Sequence, residues 1–514
     1  MAFVQDGLTH GILYTDFYQL TMAQLYFKMG MHETNAQFEY FFRTCPDYGA
    51  HKAGYCIMAG TSWLQEWMSD VKVDKQSIQK LRDHTGKSGK PIFSDDFLDW
   101  FEENGNFNRI TMEGIAEGRV IHPNVPALVV RGPLAMAQIL ESPLLNHMNY
   151  PILIATKASR VKRAGADKMT IEFGMRRAQS EAANAGARAA LIGGADFTSN
   201  TGISYKLGLP PKGTHAHSMV QAFMSLGRGE LEAFRAYADV YPDNCILLVD
   251  TINTLESGIP NAIKVFEELR SKGHTPVGIR LDSGDLAYLS IQASMMLDKA
   301  GFGDVSIVLS NKLDELVLMQ IIKQIKEEAP PAGVDPDKLI NRLVYGVGTR
   351  LITSRGEGAL DGVYKLTAIE QEGKWIPALK LSETPGKTLN PGKKNVWRLY
   401  DKNNKAIADC LSTGDEDLRT YSSIHLHHPV DYTRSRALDA TSLGRIEQLH
   451  VPLFKNGGIR EKEASIDQMR KIRRADEEYL DSGVKRFINP HIYHVSLTRK
   501  LWELKQDLIE QAKK

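Results

Sequence analysis

Residues 277–285 read Val-Gly-Ile-Arg-Leu-Asp-Ser-Gly-Asp, a short apolar run that ends in polar side chains. Similar runs recur at intervals of roughly 30 residues with helical periodicity between them, which is typical of βα units around a parallel sheet. The predicted strands are Cys245–Asp250, Val277–Asp282, Val305–Ser310 and Arg342–Gly346. The predicted helices are Leu255–Lys272, Leu286–Ala300 and Leu313–Ala329. An α/β barrel is the natural closed form of such a sheet.

Polar residues follow each predicted strand at the point where it ends. They are Asp250-Thr251, Asp282-Ser283-Gly284-Asp285, Ser310-Asn311 and Gly346-Val347-Gly348-Thr349. In a parallel barrel the loops after the strands converge on one face, and ligands bind there. The sequence therefore predicts one pocket that gathers these four segments.

The regions on either side of this pattern are less regular. They contain a predicted helix at Thr15–Met29, extended runs at Asn35–Phe42 and Arg119–Arg131, a Lys, Pro and Gly-rich stretch at Lys380–Lys394, and a predicted helix at Leu497–Lys513. At 514 residues the chain is long enough for two or three domains. We expect an N-terminal α/β domain at 1–149, the barrel at 150–370, and a C-terminal region at 371–514 that packs on both.

The composition narrows the possible partners. Lys and Arg total 63 against 62 for Asp and Glu, so a nucleic acid or a membrane surface is not expected as the main partner. Met1–His10 does not resemble a signal peptide, and no apolar run reaches the roughly 18 residues that span a bilayer, which favours a cytoplasmic location. The four cysteines show no CxxC spacing and are predicted to be reduced core thiols.

The segment Gly346-Val347-Gly348-Thr349 lies at a predicted strand end. Glycines let backbone amides approach a phosphate closely, and the threonine hydroxyl adds a donor. A glycine turn without a ligand is the alternative interpretation. The presence of Ser310-Asn311 at the preceding strand end favours phosphate binding.

A cation and two carboxylates stand close together in the segment from Arg280 to Asp285. Carboxylates suit ribose hydroxyls and Mg²⁺, and arginine suits planar anions. An aspartate helix cap and a surface salt bridge are the alternative.

Two histidines, His215 and His217, stand in the run Gly213-Thr214-His215-Ala216-His217-Ser218. No third ligand with recognisable spacing accompanies them, so a zinc site is not expected. Either imidazole could act as an acid, a base or a nucleophile, and a hydrogen-bonded structural histidine is the alternative.

An aromatic ring and an arginine occur together in Phe173-Gly174-Met175-Arg176 and in Phe42-Arg43. Stacking and a guanidinium fork would suit a flat anionic ligand, whereas a core phenylalanine beside a surface arginine is the alternative.

These segments, taken in order, resemble the nicotinate phosphoribosyltransferase family. The matching stretches are Tyr14–Met22, Thr156–Arg160, Glu172–Gln179, Gly213–Ser218, Leu248–Thr251, Ile279–Asp285, Gly346–Leu351, Asn390–Lys394 and Asn489-Pro490-His491. The resemblance implies the type II phosphoribosyltransferase fold, an irregular parallel α/β barrel with an N-terminal domain and a C-terminal extension, in a homodimer. It also implies transfer of phosphoribosyl from phosphoribosyl pyrophosphate to nicotinate, with Mg²⁺ and assistance from ATP hydrolysis.

The resemblance also implies roles for individual residues. His217 would carry the phosphoryl group from ATP beside Thr214 and Ser218, while Asp282 would hold the ribose and Arg280 or Arg176 the nicotinate carboxylate. Tyr14 and Phe173 would enclose the ring. The 5′-phosphate would be held by Ser310, Asn311, Gly346, Gly348 and Thr349, and the diphosphate by Arg43, Lys380 and Lys393. The metal ligands stay unassigned.

The expectation that nicotinate is the substrate base rests on a difference from a related family. Nicotinamide phosphoribosyltransferases hold the amide with an acidic residue, whereas this chain has Thr198-Ser199-Asn200 at the matching place, which favours nicotinate. Ile252-Asn253 departs from the Tyr and Asp that usually follow Leu-Val-Asp-Thr in the family. The alternatives are a nicotinamide or quinolinate phosphoribosyltransferase and a non-catalytic nucleotide sensor.

Overall fold

A computed structural model describes residues 9–384, 387–460 and 464–513, so the predictions for Met1–Leu8 and for part of Lys380–Lys394 lie outside the described residues. The helices are α1 (Phe17–Lys28), α2 (Thr61–Asp70), α3 (Lys75–Arg82), α4 (Asp95–Asn104), α5 (Leu134–Ile139), α6 (Glu141–Ala164), α7 (Ser180–Gly193), α8 (Thr201–Lys206), α9 (His217–Ser225), α10 (Glu230–Val240), α11 (Ile259–Ser271), α12 (Leu286–Lys299), α13 (Glu315–Glu328), α14 (Pro336–Arg342), α15 (Thr349–Ile352), α16 (Ile466–Tyr479) and α17 (Arg499–Gln511).

The strands are β1 (Asn35–Phe42), β2 (Cys56–Ile57), β3 (Thr111–Ile115), β4 (Val120–Ile121), β5 (Leu128–Pro133), β6 (Thr170–Glu172), β7 (Phe197–Thr198), β8 (Ile246–Leu248), β9 (Gly278–Leu281), β10 (Ser306–Ser310), β11 (Leu343–Val347), β12 (Gly362–Gln371), β13 (Lys374–Pro377), β14 (Lys394–Asp401), β15 (Ala406–Thr413), β16 (Ser423–His427), β17 (Ser435–Asp439), β18 (Leu443–Gln448), β19 (His450–Lys455), β20 (Gly458–Ile459) and β21 (Val495–Thr498). No helix among the described residues is long and apolar enough to cross a membrane.

The chain forms two compact units. The first combines the chain up to Leu153 with the chain from Ala359 onward, and the second is Ile154–Gly358. The predicted C-terminal region therefore shares a unit with the N-terminal domain. Its packing on the barrel region stays a prediction.

The first unit is built on two larger sheets. One has the strand order β13-β12-β1-β5-β3-β19-β20, and the other has the order β17-β16-β21-β15-β14-β18. Pairing is antiparallel except between β15 and β21. A large apolar core gathers residues from both ends of the chain, including Phe38, Phe97, Leu411 and Leu501.

The second unit is built on one parallel sheet with the order β7-β6-β11-β10-β9-β8. Its strands bury apolar residues such as Leu247, Ile279, Leu309 and Tyr345, which explains their near-continuous apolar sequences. The four predicted strands are confirmed as β8 to β11. The pairings among the described residues leave β7 and β8 as sheet edges, so closure into a barrel stays a prediction.

The structure corrects several predicted boundaries. The helix predicted from Leu255 begins as a π-helical turn at Thr254–Gly258, because Asn253 caps it by accepting from the amides of Leu255 and Glu256. The C-terminal helix begins at Arg499, not Leu497, because Thr498 is its N-cap and Leu497 belongs to β21. All four cysteines are free and buried.

Candidate active site

The carboxyl edge of the parallel sheet gathers the polar residues that the sequence places after its strands. Arg280 lies on β9, Ser310 ends β10 and Gly346 lies on β11, while Asp250 and Asp282 follow β8 and β9. Because parallel strands all end at the same edge, loops far apart in sequence meet there.

Arg280 is the centre of a hydrogen-bond network at this edge. Its Nε donates to Ser310 Oγ at 2.9 Å and its Nη1 to Thr214 Oγ1 at 3.1 Å. Its Nη2 lies 3.4 Å from Asp282 Oδ1, and Ser310 Oγ donates to the same oxygen at 2.6 Å. The guanidinium lies 5.4 Å from the centre of the Phe173 ring. The arginine is thus fixed by three elements and stacked on an aromatic face.

His217 faces two carboxylates. Its Nδ1 is 3.0 Å from Thr251 Oγ1, and its Nε2 is 3.8 Å from Asp250 Oδ1 and 3.9 Å from Asp282 Oδ2. The His217 side chain is 38% exposed.

Asp250 connects the loop that follows β8 to the loop that follows β9. Its Oδ2 accepts from the backbone amide of Asp282 at 2.9 Å and from Ser283 Oγ at 2.5 Å. Its Oδ1 is buried without a hydrogen-bond partner among the described residues. A carboxylate oxygen left in this way, beside a second carboxylate on Asp282, suits a divalent cation that also binds phosphate oxygens.

His215 has a structural environment. Its Nε2 accepts from the backbone amide of Leu248 at 3.1 Å, and its ring lies 4.9 Å from that of Tyr237. Burial lowers the pKa of His215 to about 4, so its imidazole is neutral at pH 7. A neutral acceptor held against β8 supports the loop that carries His217.

Phe173 packs closely against two glycines at the end of β11, Gly346 within the strand and Gly348 just after it. A Cβ at Gly346 would lie 2.4 Å from the Phe173 ring, and one at Gly348 would lie 2.9 Å from the Phe173 carbonyl oxygen. The glycines therefore allow the ring to lie against the strand end. This packing role adds to the phosphate role that the sequence predicts for them.

Glu172, directly before this ring, is fully buried. It accepts from Thr198 Oγ1 at 2.7 Å and from the backbone amide of Gly174. Burial raises the pKa of Glu172. The Thr198 hydroxyl is thereby fixed at the end of β7.

The predicted phosphate loops have a charged support behind them. Asn311 adopts a left-handed backbone with φ of 86°, a conformation that asparagine tolerates better than most residues. Asp314 pairs with Arg350, which follows Thr349, and so joins the two loops. Glu315, fully buried, pairs with Lys157 at 2.9 Å and with Arg160 at 3.1 Å.

Three further residues of the second unit that the sequence analysis singled out lie at the surface or cap a helix. Arg176 lies in the exposed turn Met175–Arg177, and Ser218 is exposed on the first turn of α9. Asp285 caps α12 through the amides of Ala287 and Tyr288, so the helix-cap alternative applies to it.

Four predicted site residues belong to the first unit. Tyr14 packs edge-on against His147, with ring centres 6.4 Å apart, and burial raises its pKa. The backbone amide of Arg43 donates to Asp361 Oδ1 at 3.0 Å. Lys393 lies 5.1 Å from the centre of the Trp375 ring, and Lys380 is exposed.

The sequence reasoning singled out no role for Asp250, Thr251 or Glu172. Asp250 and Thr251 follow a predicted strand as polar residues, and this signal places them in the predicted pocket. Glu172 gave no such signal, because β6 and β7 are only three and two residues long.

Comparison with known proteins identifies the family to which this arrangement belongs. The nicotinate phosphoribosyltransferase N-terminal domain matches residues 13–149, the nicotinate phosphoribosyltransferase family matches 169–405, and the corresponding C-terminal domain matches 393–505. The nicotinate phosphoribosyltransferase of Bacillus subtilis (strain 168) is 37% identical over 514 residues, covering 100% of this chain and 97% of that one. The chain belongs to the nicotinate phosphoribosyltransferase family.

Other members of the nicotinate phosphoribosyltransferase family show the same extent of similarity. The protein of that name from Caenorhabditis elegans is 31% identical, covering 97% of this chain and 93% of that one. The crystal structure of human nicotinic acid phosphoribosyltransferase superposes with a TM-score of 0.79 at 26% identity, covering 96% of this chain and 99% of that one. The whole chain, including its C-terminal region, therefore follows the family architecture.

Proposed function

We propose that this protein transfers the phosphoribosyl group of phosphoribosyl pyrophosphate to nicotinate, giving nicotinate mononucleotide and diphosphate in NAD salvage. The arrangement of Arg280 against Phe173, Ser310 and Asp282 is the observation that supports this most strongly. It combines an aromatic face, a cation and a carboxylate in one small region, as a flat anionic base and a ribose require.

The base is bound through its ring and its carboxylate. Phe173 offers a face for the pyridine ring, and Tyr14 from the second subunit of a homodimer covers the other face. Arg280 lies over Phe173 and is the better placed partner for the carboxylate, while Arg176 lies in an exposed turn. Ring stacking and a charge-assisted hydrogen bond together select nicotinate.

The donor is bound through its ribose and its phosphate. Asp282 accepts hydrogen bonds from the ribose hydroxyls. Ser310 and the two strand-end loops bind the 5′-phosphate through Asn311, Gly346, Gly348 and Thr349. The ion pair between Asp314 and Arg350 keeps these loops together.

In the transfer step the ring nitrogen forms a bond to the anomeric carbon as the bond from that carbon to the diphosphate oxygen breaks. The electron pair leaves with the diphosphate, and Arg43, Lys380 and Lys393 bind the charge that develops on it. Asp250 and Asp282 are the residues that would hold Mg²⁺, since the buried Oδ1 of Asp250, which accepts no hydrogen bond from any described residue, fits a cation. When bound, Mg²⁺ neutralises the leaving diphosphate.

ATP acts through His217. Its Nδ1 is engaged by Thr251, which leaves Nε2 as the atom that accepts the γ-phosphoryl group and releases ADP. Thr214 and Ser218 flank the accepting group. Water then takes the phosphoryl group from Nε2, which releases inorganic phosphate and regenerates His217.

Product chromatography tests the proposal. Purified protein is incubated with phosphoribosyl pyrophosphate, Mg²⁺ and either nicotinate, nicotinamide or quinolinate. Nicotinate is expected to give product at least tenfold faster than the other bases, because only it matches one cationic group with one carboxylate. Faster product from nicotinamide or quinolinate would reassign the base, and binding without any product would make the protein a nucleotide sensor.

The ATP role has its own test. His217→Ala is expected to lose the ATP stimulation while retaining slow product formation without ATP. His274→Ala, which changes a surface histidine paired with Asp243, is the matched control and is expected to behave as the unaltered protein. Full ATP stimulation in His217→Ala would contradict the phosphohistidine.

A further inference from the structure

The first unit contains a cleft of about 1070 Å³. We call it the C-terminal cleft. Of its described lining residues, the proposed function uses only Arg43. Most of its wall comes from two late segments of the chain, Leu426–Arg436 and Asn489–Ser496, together with Lys505. The motif Asn489-Pro490-His491, to which the proposed function assigns no role, lies in this wall.

The described residues that line the C-terminal cleft carry only one sign of charge. The cations are Arg43, Lys52, Arg434, Arg436 and Lys505, the histidines are His428, His491 and His494, and no Asp or Glu is among the described lining residues. The chain as a whole is nearly neutral, with a formal charge of +1. Such a concentration of positive charge creates a potential that attracts anions.

Lys52 and Arg434 pair with Asp47 and Asp431, whereas the side chains of Arg43, Arg436 and Lys505 have no carboxylate partner among the described residues. Lys505 is only 3% exposed, and its Nζ donates to the Asn390 side chain at 2.9 Å and to the carbonyls of Pro429 and Thr388 at 3.1 and 3.4 Å. Arg436 donates to the Ile407 carbonyl at 3.4 Å. A buried ammonium held only by neutral oxygens is costly, and an anion in the cleft would offset that cost.

The histidines gather beside Arg436. His428 Nδ1 accepts from the amides of Val430 and Asp431, which leaves its Nε2 as the N–H donor. The rings of His491 and His494 lie 6.0 Å apart. Burial and the positive charges of Arg436, His491 and His428 lower the pKa of His494, so these groups share one wall.

The segment that carries two of these histidines is firmly braced. The backbone amide of His491 donates to the Gly483 carbonyl at 2.9 Å. Gly54 has no room for a side chain, since a Cβ there would lie 2.1 Å from the Val484 carbonyl oxygen and 3.0 Å from the Cβ of Pro490. The donors are therefore positioned before any ligand binds, which reduces the entropic cost of binding.

We propose that the C-terminal cleft binds a polyphosphate group, either free or on a nucleotide, through Arg436 and the histidines His428, His491 and His494, with the buried charge of Lys505 behind them. Its volume matches a nucleotide-sized ligand. All of its described lining residues belong to the first unit. Arg43, to which the proposed function assigns the leaving diphosphate, also lines this cleft, whereas Arg436 and the three histidines have no part in the proposed transfer reaction.

Calorimetric titration of the full chain with inorganic tripolyphosphate tests this site. The titration is made in an Arg280→Gln background, which weakens anion binding at the strand-end cluster. Tripolyphosphate is expected to bind, and adding Arg436→Gln with His494→Gln is expected to weaken the binding at least tenfold, since each charge-assisted contact contributes about a factor of ten. Lys471→Gln, which removes an exposed charge on α16, is the matched control and should leave binding unchanged.

Further arms separate the possible outcomes. Arg434→Gln changes a side chain that is 76% exposed, so it keeps the fold and is expected to weaken binding about threefold through loss of an exposed charge. ATP that binds as tripolyphosphate does indicates recognition of the phosphates alone, and tighter ATP binding indicates that the cleft also holds the nucleoside. No binding in the Arg280→Gln background would overturn the proposal, as would binding lost with Arg43→Gln but kept with Arg436→Gln and His494→Gln.

Discussion

Arg280 and Arg398 each lie on a β-strand and face an aspartate. They differ in how completely the hydrogen-bonding groups around them are paired. Arg398 is fully buried, and its Nε and Nη2 donate to the two oxygens of Asp409 at 2.8 and 2.9 Å. Its remaining nitrogen lies 3.4 Å from Asp476, which also binds Arg119. This network leaves no room for a ligand and serves the fold.

The strand-end cluster of the second unit is incomplete by comparison. Arg280 meets Asp282 only at 3.4 Å, and His217 stands 3.8 to 3.9 Å from both carboxylates. One buried oxygen of Asp250 has no hydrogen-bond partner within the part of the chain that the structure describes. Polar groups that are fixed in place and only partly satisfied are prepared for a ligand. The contrast predicts that changes in the first network reduce stability and changes in the second reduce activity.

The largest effect is expected from Arg398→Leu. It leaves Asp409 buried without its main partner, which costs about 4 kcal/mol of the free energy of unfolding. Urea denaturation measures this loss. The double variant with Asp409→Leu removes the orphaned charge and should recover part of it. A fall of less than about 1 kcal/mol in the free energy of unfolding of Arg398→Leu would contradict the structural role of this network.

Arg280→Gln is expected to reduce activity more than stability, which is the opposite of Arg398→Leu. It should lower kcat/KM for nicotinate about 100-fold, equivalent to roughly 3 kcal/mol, because a charged hydrogen bond to the substrate is lost. Stability should fall by less than in Arg398→Leu, because Asp282 keeps the Ser310 hydroxyl as a donor and is itself 27% exposed. Arg280→Lys, which keeps the charge without the planar fork, should give an intermediate rate. Unchanged kcat/KM in Arg280→Gln would exclude this arginine from the site.

His215 supplies a pH dependence. Its folded pKa of about 4 lies below the ordinary value of 6.5, so the unfolded chain takes up the proton first. The stabilisation is complete above pH 6.5 and is lost as the pH falls toward 4, by about 2 kcal/mol after allowance for its exposed part. His215→Gln should flatten stability over this range. An unchanged slope in the variant would contradict the buried neutral imidazole.

The smallest effect is expected at a helix cap remote from both networks. Ser465 and Gln468 form a reciprocal capping box at the start of α16. Ser465→Ala should cost about 1 kcal/mol of stability and leave kcat/KM unchanged. Thermal unfolding together with the activity assay checks both parts, and Ser465→Asp, which retains a capping oxygen, is the control. A fall in kcat/KM would show that stability and activity are coupled.

The strand-end residues could be predicted from sequence because they depend on local signals. An apolar run followed by polar residues identifies both the strand and the edge at which Asp282, Ser310 and Gly346 meet. The first unit offered no such signal. The contact between Arg119 and Asp476 joins residues 357 positions apart, and β14 pairs with β18 across a long excursion of the chain. Such pairings depend on the tertiary fold.

A crystal structure of the protein with nicotinate mononucleotide bound tests the central claim most directly. The proposed function predicts the pyridine ring on Phe173 with its carboxylate at Arg280, and the phosphate between Asn311 and Thr349. A nucleotide bound with its ring away from Phe173 and its phosphate away from these loops would contradict the assignment of the strand-end cluster as the active site.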